Sequence, residues 1–318
     1  INRAGDNAIE VDTGASNSVV VGNYLGTDVS GTQALGNSTI GTWGAIGIKA
    51  NNVVVGGTAA GDRNLISGNN GYGIELYNSA SGALIQGNYI GTTVTGNVAL
   101  GNASAGIEIR STSATNTVGG IVAGQGNTIA FNGGDGVSIT STASGNMVRG
   151  NSIYSNTGLA IDLNNDGVTL NDTNDADVGP NALKNFPVVT AARTDGSTVT
   201  VSGTLHTTAS AAHTIDFYAS ASADGSGYGE GAIYLGSTAV TTNGSGNASF
   251  NNISFARSIP AGYHVSAVTV DLASGNTSEF SQSVVATAAP VVATSGATLA
   301  YTENAAATLT SLQAQWQA

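Results

Sequence analysis

Residues 73–102, GIELYNSASGALIQGNYIGTTVTGNVALGN, decide the fold because the chain contains a second copy of them. The other copy is residues 9–37, IEVDTGASNSVVVGNYLGTDVSGTQALGN, which matches residues 74–102 at 15 of 29 positions. The shared frame is GNY-x-GT-x-V-x-G-x-x-ALGN. Internal repeats of this kind are typical of chains that stack one repeat on the next. We therefore expect a stack, and its function depends on the face that it presents.

A short pattern of small, apolar, variable and apolar residues recurs six times and marks the successive layers of this stack. Its central apolar residues are Ile9, Ile46, Ile74, Ile107, Val137 and Ile161. Two further short apolar segments follow each of the first five. Three short strands in about 24–30 residues describe one coil of a parallel β-solenoid. Asn23, Asn88 and Asn151 follow glycines at equivalent corners, and we interpret them as a hydrogen-bonded ladder.

The complete run is N-x-V-x-GNY-x-GT…G-x-x-ALGN…GI-x-I…N-x-V-GG…AG-x-x-N-x-I, and it resembles the right-handed parallel β-helix repeats of the pectate-lyase-like superfamily. It is most similar to the version found in large secreted or surface-anchored bacterial proteins. The resemblance covers residues 1–180 and implies a right-handed parallel β-helix and an extracellular or cell-surface location. It leaves the function open, because that superfamily includes lyases, hydrolases, epimerases, phage tailspikes and adhesins.

If the central apolar residues point inward, the residue after each of them points outward. The first outward column then reads Glu10, Gly47, Glu75, Glu108, Ser138 and Asp162, and the second reads Asp12, Lys49, Tyr77, Arg110, Thr140 and Asn164. We expect Glu75 and Glu108 to lie side by side, with Tyr77, Arg110 and Lys49 around them. Much of the domain's scarce charge is thus concentrated on one face.

Three interpretations of this face remain open. Glu75 and Glu108 on neighbouring strands approach the ~5 Å carboxyl separation of a retaining glycosidase. Alternatively, the carboxylates hold a cation while Lys49 or Arg110 neutralises or deprotonates a uronate, as in a lyase. The third interpretation is a solvated face whose Glu–Arg pairs contribute little stability. Residues 1–180 contain no His and no paired-Asp or His-Gly motif, which counts against catalysis.

The sequence therefore favours a structural or adhesive module of a secreted or cell-surface bacterial protein that binds carbohydrate on the β-helix face. The candidate ligand-binding residues are Glu75, Tyr77, Glu108, Arg110, Lys49 and Trp43. Trp43 is either a sugar-stacking platform beside Lys49 or a packing residue at the edge of the core. The alternatives are a polysaccharide lyase or glycoside hydrolase, with Glu75, Glu108, Arg110 and Lys49 as its candidate catalytic residues, and a subunit of an extracellular filament.

An acidic exit segment, DLNNDGVTLNDTNDADVGPN at residues 162–181, ends the repeat. Its first half matches the start of an EF-hand calcium loop, but Thr173 stands where the closing glutamate is expected. The candidate calcium ligands are Asp162, Asn164, Asp166, Asp172, Asp175 and Asp177. The alternative is a solvated polar turn.

After the exit segment the hydrophobic period changes, and residues 186–287 predict an antiparallel β-sandwich that is immunoglobulin-like or fibronectin-III-like. The predicted strands are residues 197–205, 213–219, 232–241, 248–255, 264–272 and 280–286. Residues 288–318 resemble a linker and the start of a further repeat, or a strand exchanged with another subunit. Self-association is therefore expected through that strand or through the β-helix ends. The fold class is all-β, with a parallel β-helix followed by a sandwich.

Composition excludes several classes of function. The net charge is −12 with only 8 basic residues, so no cluster of Lys and Arg is available to neutralise nucleic-acid phosphates or anionic lipids. No apolar run approaches the ~20 residues that span a bilayer. The chain has no Cys, which excludes disulfides and thiolate metal sites. No organic cofactor is expected.

Overall fold

A computed structural model of the protein describes residues 1–38 and 43–289, and these residues are almost entirely strand and turn. In this part of the chain, helix is limited to two 3-10 turns, Ala60–Asp62 and Pro180–Leu183. No helix of the described residues is long and apolar enough to cross a membrane. The predicted further repeat or exchanged strand lies almost wholly outside the described residues.

Three parallel sheets run through residues 1–163 and together form what we call the stack. Sheet A contains β1 (Ile9–Val11), β4 (Gly44–Ile48), β7 (Tyr72–Leu76), β10 (Ile107–Ile109), β13 (Val137–Ile139) and β16 (Ile161–Leu163). Sheet B contains β2 (Val19–Val20), β5 (Val54–Gly56), β8 (Leu84–Gln86), β11 (Thr117–Gly119) and β14 (Met147–Arg149). Sheet C contains β3 (Tyr24–Leu25), β6 (Leu65–Ile66), β9 (Tyr89–Ile90), β12 (Thr128–Ala130) and β15 (Ser152–Tyr154). Consecutive strands of the chain belong to different sheets, an arrangement compatible with a β-helix.

The core of the stack consists of Ile, Val and Leu side chains that pair with their counterparts one layer away. In sheet A, Ile74 pairs with Ile46 on one side and with Ile107 on the other, and all three are fully buried. The corners between strands require tight backbone contact. Gly87 has φ +67°, and a Cβ there would lie 2.0 Å from the carbonyl oxygen of Gly57. Only glycine fits such a corner without strain.

The predicted asparagine ladder is confirmed and is longer than the sequence indicated. The members of this ladder are Asn23, Asn64, Asn88, Asn127 and Asn151, and the Nδ2 of each one donates to the Oδ1 of the next at 2.9–3.1 Å. A second ladder joins Asn37, Asn69, Asn102, Asn132 and Asn156 in the same way. The ladders satisfy buried amides at the corners, so these residues belong to the fold.

An antiparallel sandwich of two four-stranded sheets follows the stack. The strands are β17 (Val188–Thr194), β18 (Val199–His206), β19 (Ala212–Ser220), β20 (Ile233–Thr241), β21 (Asn247–Phe255), β22 (His264–Val270), β23 (Val284–Val285) and β24 (Thr287–Ala288). One sheet has the order β21-β18-β17-β24, in which only β17 and β24 are parallel, and the other has the order β20-β19-β22-β23. The sequence prediction missed β17. It was also wrong to make residues 280–286 one strand, because β23 covers only Val284–Val285; before it, Gln282 forms an isolated bridge with Tyr228 and Phe280 packs in the core cluster of the stack.

The sandwich covers the C-terminal end of the stack by meeting all three sheets. The backbones of Ile153 in sheet C and Gly231 exchange two hydrogen bonds of 2.8 and 2.9 Å. In sheet B, the N–H of Val148 donates to Thr277 Oγ1 at 3.0 Å. In sheet A, the N–H of Leu163 donates to Glu279 Oε1 at 2.9 Å. These contacts cover the strand edges of the last layer at Ile153, Val148 and Leu163.

Candidate functional site

The strand register of sheet A places the residues of the first column beside one another. Successive Cα partners are Glu10 with Gly47, Gly47 with Glu75, Glu75 with Glu108, Glu108 with Ser138, and Ser138 with Asp162. Glu75 and Glu108 are thus neighbours on β7 and β10, as the repeat spacing predicts. The arrangement follows because a parallel register aligns the same position of every layer.

The expectation that the two outward columns face solvent is wrong for Glu75, Glu108 and Tyr77. Glu75 is 0% exposed, Glu108 is 5% exposed and Tyr77 is 5% exposed. A buried carboxylate requires hydrogen bonds or an ion pair to compensate for lost hydration. The covering groups come from side chains of neighbouring layers, and these side chains cannot be identified from periodicity alone.

Glu75 is held by contacts on both of its carboxylate oxygens. Oε1 accepts a hydrogen bond of 2.6 Å from Arg110 Nε and also forms an ion pair with the terminal guanidinium nitrogen. Oε2 accepts from the N–H of Gly44 at 3.3 Å. A Cβ at Gly44 would lie only 2.9 Å from the Cβ of Glu75, so the missing side chain allows this approach. The charge of Glu75 is therefore used internally.

Glu108 lies among other acids and has a different environment. Its Oε1 accepts a hydrogen bond of 2.7 Å from Thr140. Burial raises the pKa of Glu108, while the bond from Thr140 and the charge of Arg110 act in the opposite direction. Burial, together with the charges of Asp162 and Glu108, raises the pKa of Asp135 to about 7. Within residues 1–38 and 43–289, neither Glu108 nor Asp135 forms an ion pair with a lysine or arginine.

Tyr77 is the centre of the second column. Its hydroxyl donates to Glu10 Oε1 at 3.1 Å, and Lys49 forms an ion pair with the same carboxylate. Lys49 Nζ and the Arg110 guanidinium carbon lie 5.3 and 5.2 Å from the ring centroid. Burial and the bond to Glu10 raise the pKa of Tyr77 to about 12, so the hydroxyl stays protonated. The ring is thus flanked by two cations.

Trp43 packs against Tyr77 with ring centroids 5.9 Å apart and planes tilted by 49°. Trp43 is partly exposed, as are Lys49 and Arg110, whose side chains are 20% and 37% exposed. We call Trp43, Lys49, Tyr77 and Arg110 the aromatic–cationic patch. Of the candidate ligand-binding residues, Trp43, Lys49 and Arg110 reach solvent. Tyr77, Glu75 and Glu108 are buried.

Gly44, Tyr72 and Asp135 belong to this face but were missed by the sequence interpretation. Each of them lies two residues before the central apolar residue of its layer, and Gly44 and Tyr72 are direct Cα partners. Burial and the nearby Glu108 and Glu75 raise the pKa of Tyr72. Aligning this position across all layers would have revealed the extra column.

The exit segment divides the candidate calcium ligands into two groups. In the first group, Asp162 accepts backbone N–H groups of Asp166 at 3.3 Å and Gly167 at 3.1 Å, while Asn164 donates to Asp166 at 2.8 Å. In the second group, one carboxylate oxygen of each of Asp172, Asp175 and Asp177 lies within 4.8 Å of the others. Among the described residues, Asp162 and Asp166 do not join that cluster.

Lys184 occupies one side of the second group. Its Nζ lies 2.5 Å from Asp175 Oδ2, and the two side chains are only 4% and 2% exposed. Asp175 Oδ1 accepts from the N–H of Asn185 at 2.7 Å. Both oxygens of Asp175 therefore already accept contacts from within the protein, although Asp172, Asp175 and Asp177 lie close enough together to hold a metal ion. Asp177 Oδ1 is buried and has no hydrogen-bond partner.

Comparisons with known proteins add no family. A scan against protein-family models finds no match, and a search of curated proteins finds no relative. The functional argument therefore depends on the geometry of the described residues.

Proposed function

We propose that the chain is a structural or adhesive module of a secreted or cell-surface bacterial protein. In this proposal residues 1–180 form a right-handed parallel β-helix of the pectate-lyase-like type, and residues 186–287 form an immunoglobulin-like or fibronectin-III-like sandwich. The sandwich prediction is supported by its strand pairing, which is antiparallel throughout one sheet and antiparallel in the other except between β17 and β24. The observation that carries the functional proposal is the complete burial of Glu75.

Burial of Glu75 favours a structural role over catalysis. A general acid, base or nucleophile must come within hydrogen-bond reach of the substrate. Glu75 instead bonds to Arg110 and to the backbone of Gly44, and Glu108 bonds to Thr140. The polar column thus joins neighbouring layers, and the polysaccharide lyase or glycosidase alternative has no exposed carboxylate pair at Glu75 and Glu108.

The aromatic–cationic patch is the proposed carbohydrate contact. Trp43 offers an apolar ring edge, while Lys49 and Arg110 offer partly exposed donors on either side of Tyr77. Sugars combine apolar C–H faces with hydroxyl or carboxylate acceptors, so a ring beside fixed cations matches their chemistry. Arg110 is held by buried Glu75, and Lys49 is held by its ion pair with Glu10 and by the buried ring of Tyr77, so little conformational entropy is lost on binding.

The binding test is affinity electrophoresis of the full chain through gels that contain neutral or uronate-rich polysaccharides. Retardation is expected in at least one uronate-rich gel, and Trp43→Ala and Lys49→Gln should each reduce it. Arg63→Gln is the matched control, because Arg63 also lies over a tyrosine ring, 4.1 Å from that of Tyr89, outside the patch. Equal mobility of wild type and all variants in every gel would remove the proposed contact.

The filament alternative receives less support. End-to-end stacking needs both ends of the stack to be available, and the sandwich meets all three sheets at the C-terminal end. At the other end of the stack, Val19 and Val21 are exposed. We therefore propose to test whether two copies of the protein associate through this end. Electron microscopy of the purified protein distinguishes filaments from dimers.

A further inference from the structure

The geometry of the exit segment points to a covalent bond, and we propose that Lys184 and Asp175 form an intramolecular isopeptide bond. The bond would join the Nζ of Lys184 to the Cγ of Asp175. It is a modification of the joint between the stack and the sandwich and is independent of the proposed carbohydrate contact.

The first support is the pre-organised approach of the two reacting groups. Lys184 Nζ lies 2.5 Å from Asp175 Oδ2, and both side chains are almost fully buried. Fixing two reactants in one geometry gives effective concentrations far above those reached in solution.

The backbone holds Lys184 in place through an unusual turn. Asn181, Ala182 and Leu183 all have positive φ values, of 47°, 57° and 43°. Asn181 is fully buried, accepts from the N–H of Asn146 at 3.0 Å, and donates to carbonyl oxygens of Asn146 and Thr277 at 2.7 and 3.1 Å. The turn before Lys184 is therefore fixed to both the stack and the sandwich.

The second support is a set of donors placed for the two oxygens of Asp175. The N–H of Asn185 donates to Oδ1 at 2.7 Å, where negative charge develops when the amine adds to Cγ. The hydroxyl of Thr208 lies 3.2 Å from Oδ2 and 3.1 Å from Lys184 Nζ. Oδ1 is thus the oxygen that the amide retains, and Oδ2 is the oxygen that leaves.

The third support is a neighbouring carboxyl group that can carry protons. A carboxylate oxygen of Asp177 lies within 4.8 Å of one of Asp175, and its buried Oδ1 has no hydrogen-bond partner. In the reaction the ammonium of Lys184 gives up two protons, and the C–Oδ2 bond of Asp175 breaks as the N–Cγ bond forms. Oδ2 takes both protons, with Asp177 as their carrier, and leaves as one water molecule. No oxidant, reductant or co-reactant is required.

The test is high-resolution mass spectrometry of the intact full chain and of its tryptic peptides. The expected mass is one water molecule below the sequence mass. Trypsin should fail to cut after Lys184, giving the single peptide of residues 150–193 with the same deficit. A full sequence mass together with normal cleavage after Lys184 would overturn the proposal.

Two variants identify the source of the lost water. Lys184→Arg keeps the positive charge but cannot form the bond, so it should have its full sequence mass. If that variant still lacks one water molecule, a cyclised aspartate elsewhere explains the deficit and the proposal is overturned. Asp177→Asn should leave the bond unformed or form it more slowly during refolding, whereas an unchanged rate would exclude Asp177 as the proton carrier.

Discussion

Arg149 on β14 and Asp216 on β19 form a buried, two-point ion pair that joins the last layer of the stack to the sandwich. Arg149 Nε lies 2.9 Å from Oδ2 of Asp216, and a terminal nitrogen lies 2.7 Å from Oδ1. Their side chains are 11% and 0% exposed. Such geometry matches the planar fork of arginine to a carboxylate and fixes the orientation of the two partners.

Removing one partner of this pair should destabilise the protein strongly. Asp216→Ala leaves Arg149 buried without its counter-charge, and such a change costs about 3–5 kcal/mol in other buried pairs. The measurement is the free energy of unfolding in urea. The double variant Arg149→Leu with Asp216→Leu is the control and should recover part of that loss. A loss below about 1 kcal/mol for the single variant would be no larger than the contribution of a surface ion pair and would contradict the prediction.

The asparagine ladder predicts a dependence on position. Asn127 is 1% exposed, and its Nδ2 donates to Asn151 and to the carbonyl of Ile85 at 2.9 and 2.8 Å. Asn127→Ala leaves buried backbone and side-chain groups unpaired and should cost at least about 2 kcal/mol of unfolding free energy. Asn23→Ala, at the partly exposed end of the same ladder, is the matched control and should cost less. Equal costs would contradict a ladder whose interior members are the important ones.

Stability should fall as the pH rises towards neutrality. Burial is the main cause that raises the pKa values of Asp135 and Glu279 to about 7, from ordinary values of 3.8 and 4.5. Between these limits the folded protein binds more protons than the unfolded chain, so the unfolding free energy decreases with increasing pH. Their contribution is fully present below the ordinary values and is lost as the pH passes about 7.

The pH effect is measured by urea unfolding in buffers between about pH 5 and pH 8, a range chosen to cover both raised pKa values. Glu279→Gln should flatten the profile because one of the two titrating groups is removed. Asp195→Asn is the control, since Asp195 is exposed and its pKa is lowered by bonds from Ser197. A stability that rises through this range would contradict the assignment.

Calcium should not stabilise the exit segment. Lys184 already neutralises Asp175, and the remaining oxygen of that carboxylate accepts from Asn185. A ligand that binds only the folded state raises the midpoint of thermal unfolding. We therefore expect equal midpoints with added calcium and with a chelator. If calcium instead raises the unfolding midpoint of the wild type but not that of Asp177→Asn, the result would support the calcium prediction for Asp172, Asp175 and Asp177.

The sequence was sufficient for the layer spacing, because the apolar residue at the centre of each layer fixes the register. That register brought Glu75 beside Glu108 and Asn23 into line with Asn88. Burial of Glu75 was not predictable, because it depends on the rotamer of Arg110 and on the approach of Gly44. Periodicity shows which way a residue points but not which side chains cover it.

Contacts between distant segments were also beyond the sequence. Arg149 and Asp216 are 67 residues apart, and Glu279 reaches Leu163 across 116 residues. Neither pair has a local pattern, since each depends on how the sandwich sits on the last layer. Lys184 was overlooked near Asp175 for a different reason: the acidic composition of the exit segment suggested a metal ion, although a lysine was present nine residues away.

The most direct test of the central claim, that the Glu75 and Glu108 column is structural, is an assay of polysaccharide cleavage by the full chain. New reducing ends and unsaturated products are measured across uronate-containing and neutral polysaccharides, with Glu75→Gln and Glu108→Gln as matched variants. The account predicts no turnover above the protein-free blank, together with retardation by at least one polysaccharide in the affinity gels. Turnover by the wild type that either substitution abolishes would contradict it.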